Sequence, residues 1–270
     1  MKTTISTSLF FLALLGICMP ASAARYLVDF GRNDVATGGG QGAITASPDS
    51  NGNYWNNFNK EAFNSDTGNL DVPDNAAISG LIDDANGASG IGIQLLDSTG
   101  NNEWEANGAL NGGLLGPDSN LLGELAIETA TRDYFFTTQP SASFVLNGLN
   151  PLATYDLEFF ATRDTGGYRA TQYRATDANG AMLSAILQTS GGGAGSAAHP
   201  NGNDDDTVAL LGLVPDGSNS ITIDMLTNAG GFSYVGIMSI TENTVPEPAS
   251  LALLGLGGLA FAAVRRRASR

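Results

Sequence analysis

Cysteine is almost absent from this 270-residue chain, and the only one, Cys18, lies near its start. Residues 1–23 combine a positive Lys2, an uninterrupted apolar run over residues 9–17, and small side chains at residues 21–23. These are the three parts of a signal peptide that signal peptidase would cleave after Ala23. The mature chain would then lack cysteine, which excludes disulfides, thiolate metal sites and a cysteine nucleophile.

Histidine is equally scarce. The single one, His199, lies in a glycine-rich segment before Pro200, and no G-x-S-x-G motif is present. One histidine cannot supply the usual zinc ligand set, and a Ser-His-Asp triad needs a rigidly held histidine. We therefore expect a non-catalytic protein. A secreted glycoside hydrolase that uses two carboxylates stays open as an alternative, because carboxylates are plentiful.

Basic side chains are also few. Residues 24–244 hold 26 acidic and 7 basic side chains, a formal net charge of −19. Such a surface repels nucleic acid and anionic lipid headgroups, so we expect neither as a partner.

Long amphipathic helices are missing too, and two-residue alternation of apolar and polar side chains is frequent instead. It occurs at residues 143–146, 154–160 and 220–225, and further apolar runs lie at 26–30, 91–96, 207–214 and 232–240. This pattern predicts strands with one buried face. Residues 24–244 are therefore expected to form one all-β domain, an antiparallel two-sheet β-sandwich of jelly-roll or galactose-binding-like type. Glycine-rich residues 189–206 are expected to form a long flexible loop, and residues 107–120 another loop or a short irregular excursion.

One short turn carries a resemblance to many bacterial extracellular sandwiches. Gly148-Leu149-Asn150-Pro151 is followed by Tyr155, and in such domains the tyrosine hydroxyl ties its strand to the preceding turn. The resemblance implies an architecture and no particular function.

The tail of the chain combines three features in order. A proline-containing motif, Val245-Pro246-Glu247-Pro248, precedes an uncharged apolar segment at residues 249–264, and a basic cluster of Arg265, Arg266, Arg267 and Arg270 follows. As a helix the apolar segment would measure about 24 Å, short for a hydrocarbon core of about 30 Å. The arginines would stay on the cytoplasmic side and orient a transient membrane insertion.

This tail, residues 245–270, resembles the sorting signal of the PEP-CTERM family. The resemblance implies recognition and cleavage near the Pro-Glu-Pro motif by an exosortase, in Gram-negative bacteria that make exopolysaccharide. A plain tail anchor is the alternative. The protein would be exported across the inner membrane, held there by its C-terminal helix until processing, and then released to the cell surface or extracellular matrix.

Two candidate ligand sites lie in the middle of the chain. Oxygen-bearing side chains beside a glycine turn are typical calcium ligands, and they cluster at Asn201, Asn203, Asp204 and Asp206. An aromatic platform beside polar groups suits a sugar ring, and both tryptophans, Trp55 and Trp104, have polar neighbours.

We therefore expect an exported surface or exopolysaccharide-matrix protein with carbohydrate as its candidate ligand. A structural or adhesive sandwich without a small ligand, held by calcium or by partner chains, is the second hypothesis.

Overall fold

Strands dominate the structure, a computed structural model that describes residues 23–34, 40–61, 70–96 and 104–244, without the side chains of residues 60 and 61. Residues 1–22 of the predicted signal peptide, the Pro-Glu-Pro motif, the segment 249–264 and the arginine cluster lie outside these residues. The described strands fall into three sheets. The first has five strands, in the spatial order β12 (Val208–Leu213), β9 (Ala153–Phe160), β15 (Ile237–Thr244), β1 (Ala24–Asn33) and β2 (Trp55–Glu61).

The second sheet has six strands, in the order β11 (Met182–Ser190), β10 (Arg169–Thr176), β13 (Ile221–Ala229), β8 (Ser141–Asn147), β5 (Gly92–Leu96) and β4 (Ala77–Ser79). The third has four short strands, in the order β14 (Ser233–Val235), β7 (Tyr134–Thr137), β6 (Trp104–Asn107) and β3 (Leu70–Val72). The all-β sandwich is confirmed. The structure differs from the expectation in having a third sheet and a parallel pairing of β1 with β2.

An aromatic cluster joins the three sheets in the core. The ring of Phe30 on β1 lies 5.7 Å from Phe58 on β2, 5.8 Å from Phe135 on β7 and 5.9 Å from Phe144 on β8. The small third sheet contributes to the same core through buried aromatic rings on β14, β7 and β6 and through two buried aliphatic side chains on β3.

Alternation along three strands agrees with the expectation from the sequence. Every second residue is buried in β8, in β13 up to Met225, and in β9 up to Phe159. Phe159 of the first sheet stacks on Tyr173 of the second with ring centroids 4.1 Å apart, so the two larger sheets pack face to face.

Strand β1 is instead buried on both faces. Tyr26, Val28 and Phe30 point into the main core, whereas Leu27 joins a second apolar cluster on the opposite face. Short helical turns cover that face: α1 (Ser119–Leu122), a 3-10 turn at Gly123–Leu125, and α2 (Glu128–Thr131). A further 3-10 turn lies at Ala109–Asn111. Asp29, two residues after Leu27, therefore points under this cover and away from solvent.

The turn before β9 forms a tyrosine corner. The backbone N–H of Asn150 donates to the hydroxyl of Tyr155 at 2.8 Å, as the resemblance implied. Gly148 adopts a φ of +69°, and a Cβ there would lie 2.1 Å from the carbonyl oxygen of Gly90. The turn thus needs both its glycine and its tyrosine.

Candidate functional site

Both tryptophans are buried. Trp104 is fully enclosed and packs edge-on against Phe144, with centroids 6.3 Å apart. Trp55 is 2% exposed, and its indole N–H donates to the carboxylate of Asp49 at 2.8 Å. Neither ring has a face open to a ligand, so the prediction of a sugar platform at these two residues is wrong.

The predicted calcium ligands do not converge on one point. Asp204 is 3% exposed, and its two oxygens accept hydrogen bonds from the backbone N–H and the hydroxyl of Ser196, both at 2.6 Å. Asn203 is buried, and its carbonyl oxygen accepts the backbone N–H of Asp206 at 2.9 Å. The side chain of Asp206 is exposed, and that of Asn201 is half-buried.

The side-chain oxygens of Asp204 and Asn203 instead hold the loop together through hydrogen bonds. This corrects the prediction of a calcium site and the prediction of a flexible loop. In the part of the chain that the structure describes, no group of three or more His, Cys, Asp or Glu side chains is arranged to hold a metal ion. Within the same residues, no helix is both long and apolar enough to cross a membrane.

Tyr168 is the exposed aromatic side chain of the described residues. It is 55% exposed, whereas every other described tryptophan, tyrosine and phenylalanine is buried or half-buried. It lies at one end of the sandwich, here called the loop end, which residues 109–116, 163–168, 190–204 and 229–232 form together. Hydrogen bonds join these loops: the backbone N–H of Asp164 donates to Gly112 at 2.7 Å, and that of Gly191 donates to Asn201 at 3.0 Å.

Two glycines fix the backbone under Tyr168. Gly191 has a φ of +94°, and a Cβ there would lie 2.6 Å from the Cα of Tyr168. Gly230 has a φ of +75°, and a Cβ there would lie 2.4 Å from the carbonyl oxygen of Tyr168. The hydroxyl of Ser190 also donates to the carbonyl of Gly167 at 2.9 Å. The exposed ring therefore stands on a tightly packed backbone, which lowers the entropy lost when a ligand binds.

Two arginine–tyrosine pairs lie beside this turn. Arg163 donates to the hydroxyl of Tyr134 at 2.7 Å, and Arg169 donates to the hydroxyl of Tyr234. The two tyrosine rings meet edge-on with centroids 5.3 Å apart. The guanidinium of Arg169 lies 4.0 Å above the ring of Phe232. Burial raises the pKa of Tyr134 and of Tyr234, so both phenols are neutral at physiological pH.

A buried ionic cluster lies between β1 and the helical turns that cover one of its faces. It contains Asp29, Arg32, Asp34 and Asp133, each at most 1% exposed. Arg32 forms an ion pair with Asp34 at 2.6 Å, and its backbone N–H donates to Asp133 at 2.8 Å. The hydroxyl of Thr45 donates to Asp29 at 2.8 Å. One carboxylate oxygen of Asp29 and one of Asp133 have no hydrogen-bond partner.

Burial raises the pKa of both Asp29 and Asp133. It raises the pKa of Asp29 to about 7, against a partial lowering by the Thr45 hydroxyl. Burial, and after it the charge of Asp29, raises the pKa of Asp133 well above its ordinary value. Perturbed carboxylates often mark active sites. This pair is closed to solvent, however, and does not form the open carboxylate pair that glycoside hydrolysis requires.

The sequence analysis did not predict the buried carboxylate of Asp29 or the exposed ring of Tyr168. Asp29 is one charge inside an apolar strand, a signal that could have marked it as a buried and partnered group. Tyr168 follows Gly166-Gly167 in a polar stretch, which is typical of an exposed turn. Nothing local to that stretch indicates that loops distant in sequence pack around it.

A family model described as the PEP-CTERM protein-sorting motif matches residues 244–267. The match confirms the resemblance of the tail, and the motif implies export, cell-surface sorting and processing by exosortase. No sequence among the curated proteins matches the chain.

Three solved structures share part of the fold. A Podospora anserina GH26-CBM35 β-(1,4)-mannanase is 17% identical over 55% of this chain and 29% of its own, with a TM-score of 0.29. TmCBM61 in complex with β-1,4-galactotriose is 14% identical over 52% of this chain and 84% of its own, with a TM-score of 0.25. The enzymatically active domain of bacteriophage CBA120 tailspike protein 4 is 19% identical over 51% of this chain and 18% of its own, with a TM-score of 0.22. Likenesses this weak do not identify a ligand for this chain.

Proposed function

We propose that this exported chain, which carries a PEP-CTERM protein-sorting motif, is a non-catalytic surface or exopolysaccharide-matrix protein that binds carbohydrate at its loop end. The observation that carries the proposal is the exposed ring of Tyr168 on a fixed backbone. A pyranose has an apolar face that packs on an aromatic ring, while its hydroxyls reach polar groups beside that ring.

Polar groups suited to sugar hydroxyls lie in the same loops. The loop end carries the exposed Asp164 and the half-buried Thr165, His199 and Asn201. The backbone N–H of Thr165 donates to Asn201 at 3.3 Å, so two of these loops are joined directly next to the turn that carries Tyr168. Loops that are joined by hydrogen bonds hold their polar groups in fixed positions, which favours ligand binding. Binding alone requires no general acid or base, so this arrangement supports a non-catalytic role.

The test is a binding titration of the full chain against the exopolysaccharide of its host, with a matched pair of variants. Tyr168→Ala removes the exposed ring, and Leu152→Ala removes an 84% exposed leucine at the other end of β9. Eight strand residues at about 3.3 Å each make β9 about 26 Å long, so Leu152 and the loop end lie at opposite ends of this strand. We expect Tyr168→Ala to weaken binding about tenfold and Leu152→Ala to leave it unchanged.

Equal binding by both variants and the unchanged chain would disprove the Tyr168 site. If the unchanged chain binds no host polysaccharide, the structural or adhesive sandwich becomes the better description. Processing is tested separately by the intact mass of the exported protein, which we expect to lack residues 249–270. A full-length mature chain would instead indicate a plain tail anchor.

A further inference from the structure

The arginines of this acidic protein divide into two groups. Four of the six that the structure describes form ion pairs, with nitrogen–oxygen distances of 2.5 to 3.9 Å; these are Arg25, Arg32, Arg132 and Arg174. Arg163 and Arg169 have no carboxylate of the described residues within 4.0 Å. Residues 24–244 contain almost four acidic side chains for each basic one, so partners of opposite charge are abundant. The two unpaired arginines therefore need a separate explanation.

Arg163 belongs to the loop end, and Arg169 directly follows its segment 163–168. Arg163 follows β9 and Arg169 begins β10, and the edge-on contact of Tyr134 and Tyr234 links the two guanidinium groups. Their partners are neutral phenols and the face of an aromatic ring, which orient a guanidinium without cancelling its charge. The Nε–H of Arg163 is buried and, like that of Arg132, has no acceptor among the described residues. A half-buried guanidinium whose charge no carboxylate neutralises is costly unless a ligand compensates that charge.

We infer that Arg163 and Arg169 form an anion subsite at the loop end, which recognises an acidic saccharide through a carboxylate, sulfate or phosphate group. This inference rests on the proposed function and names its ligand class. The fork of donors on a guanidinium matches the oxygens of such groups, and Tyr168, adjacent to Arg169 in the chain, would pack against the sugar ring.

The negative charge of the whole domain does not prevent this recognition. The formal net charge of −19 repels a polyanion at long range, but at 0.15 M salt the Debye length is about 8 Å. Contacts within the subsite lie inside that distance, and the charges of more distant carboxylates are largely screened. Asp164 is the neighbour in sequence that would oppose an anion, but its exposed carboxylate is more than 4.0 Å from both guanidinium groups.

The experiment compares polygalacturonate with neutral dextran at 0.15 M salt, using the full chain. Arg169→Gln and Arg163→Gln remove the proposed contacts, Arg169→Lys keeps the charge, and Tyr168→Ala removes the platform. Arg174→Gln is the matched control, since it removes a charge from the same strand, β10, where Arg174 pairs with Asp224 at 2.8 Å. Melting temperatures show which variants remain folded, and conclusions are drawn from those.

We expect the unchanged chain to prefer polygalacturonate, and Arg169→Gln or Arg163→Gln to weaken that binding about tenfold or more, since a charge-assisted hydrogen bond is lost. Arg169→Lys should restore part of the loss, and Arg174→Gln should have no effect. Equal effects of Arg169→Gln and Arg174→Gln would overturn the inference. The inference would also be overturned if inorganic phosphate displaced polygalacturonate at the same concentration as free galacturonate does. The subsite would then bind any small anion.

The outcomes separate the inference from the function on which it rests. Binding of dextran and polygalacturonate with equal affinity, lost in Tyr168→Ala alone, would refute the anion subsite and leave the carbohydrate site in place. Binding of polygalacturonate that depends on Arg169 but not on Tyr168 would support the subsite and refute the aromatic platform. If the unchanged chain binds neither these probes nor the host exopolysaccharide, both proposals fail.

Discussion

Replacing Asp29 by asparagine should change how the stability of the protein depends on pH. Asp29 is fully buried, and burial raises its pKa from 3.8 to about 7. The folded state therefore holds a proton on this group over a pH range in which the unfolded chain releases it. The stability that this group contributes is fully present below pH 4 and is lost as the pH rises from about 4 to about 7.

The size of the effect follows from the difference between the two pKa values. About three units at about 1.4 kcal/mol each give a loss of about 4 kcal/mol in the free energy of unfolding. Asp133 acts in the same direction, because burial and the charge of Asp29 also raise its pKa. Arg132 lowers the pKa of Asp133 and Asp34 raises it, and both remain in the variant. Asp29→Asn should thus remove its own titration and weaken that of Asp133.

The assay is urea unfolding of residues 24–244 at intervals from pH 4 to pH 8. The unchanged protein should lose stability relative to Asp29→Asn over this range, by about 4 kcal/mol in total, and the difference should level off above pH 7. Asp71→Asn, at an exposed position on β3, is the control for the loss of one surface carboxylate. A flat difference curve for Asp29→Asn, or one that matches the curve of Asp71→Asn, would refute the argument from burial.

Three further predictions concern single contacts. Tyr155→Phe leaves the N–H of Asn150 without its acceptor and should cost about 1–3 kcal/mol in an unfolding titration; no loss would mean that water replaces the hydroxyl. Asp204→Ala should lower the melting temperature equally in calcium and in chelator, whereas a loss seen only in calcium would restore the metal site. Gly191→Ala should weaken carbohydrate binding more than Gly193→Ala, because Gly193 has a φ of +79° but open space around it. Equal effects of the two substitutions would indicate that backbone strain alone weakens binding.

Strand positions were predictable from the sequence, but strand partners were not. Alternation gives each strand an inner and an outer face, and this held for β8, β9 and β13. It does not specify which strands pair, because any two strands with one apolar face satisfy the same pattern. The parallel pairing of β1 with β2 and the separate third sheet therefore appeared only in the structure.

The error at Trp104 has the same origin. Its polar neighbour Glu105 suggests exposure, yet successive residues of a strand point to opposite faces. In β6, Trp104 and Ala106 are buried while Glu105 is half-buried, which is the alternation expected for an edge of the core. A polar residue next to a tryptophan in a strand is thus compatible with a fully buried ring.

The loop at residues 189–206 shows why glycine content alone misled the sequence analysis. Three consecutive glycines suggested flexibility, since glycine has the widest choice of backbone angles. In the structure Gly191 approaches the backbone of Tyr168, and a Cβ at Gly195 would lie 2.1 Å from the carbonyl oxygen of Gly202. A flexible loop and a tightly packed one can both require a missing Cβ, so composition cannot distinguish them. Here the loop packs against the turn that carries the exposed tyrosine, and its glycines fix the ring on which the proposed binding site depends.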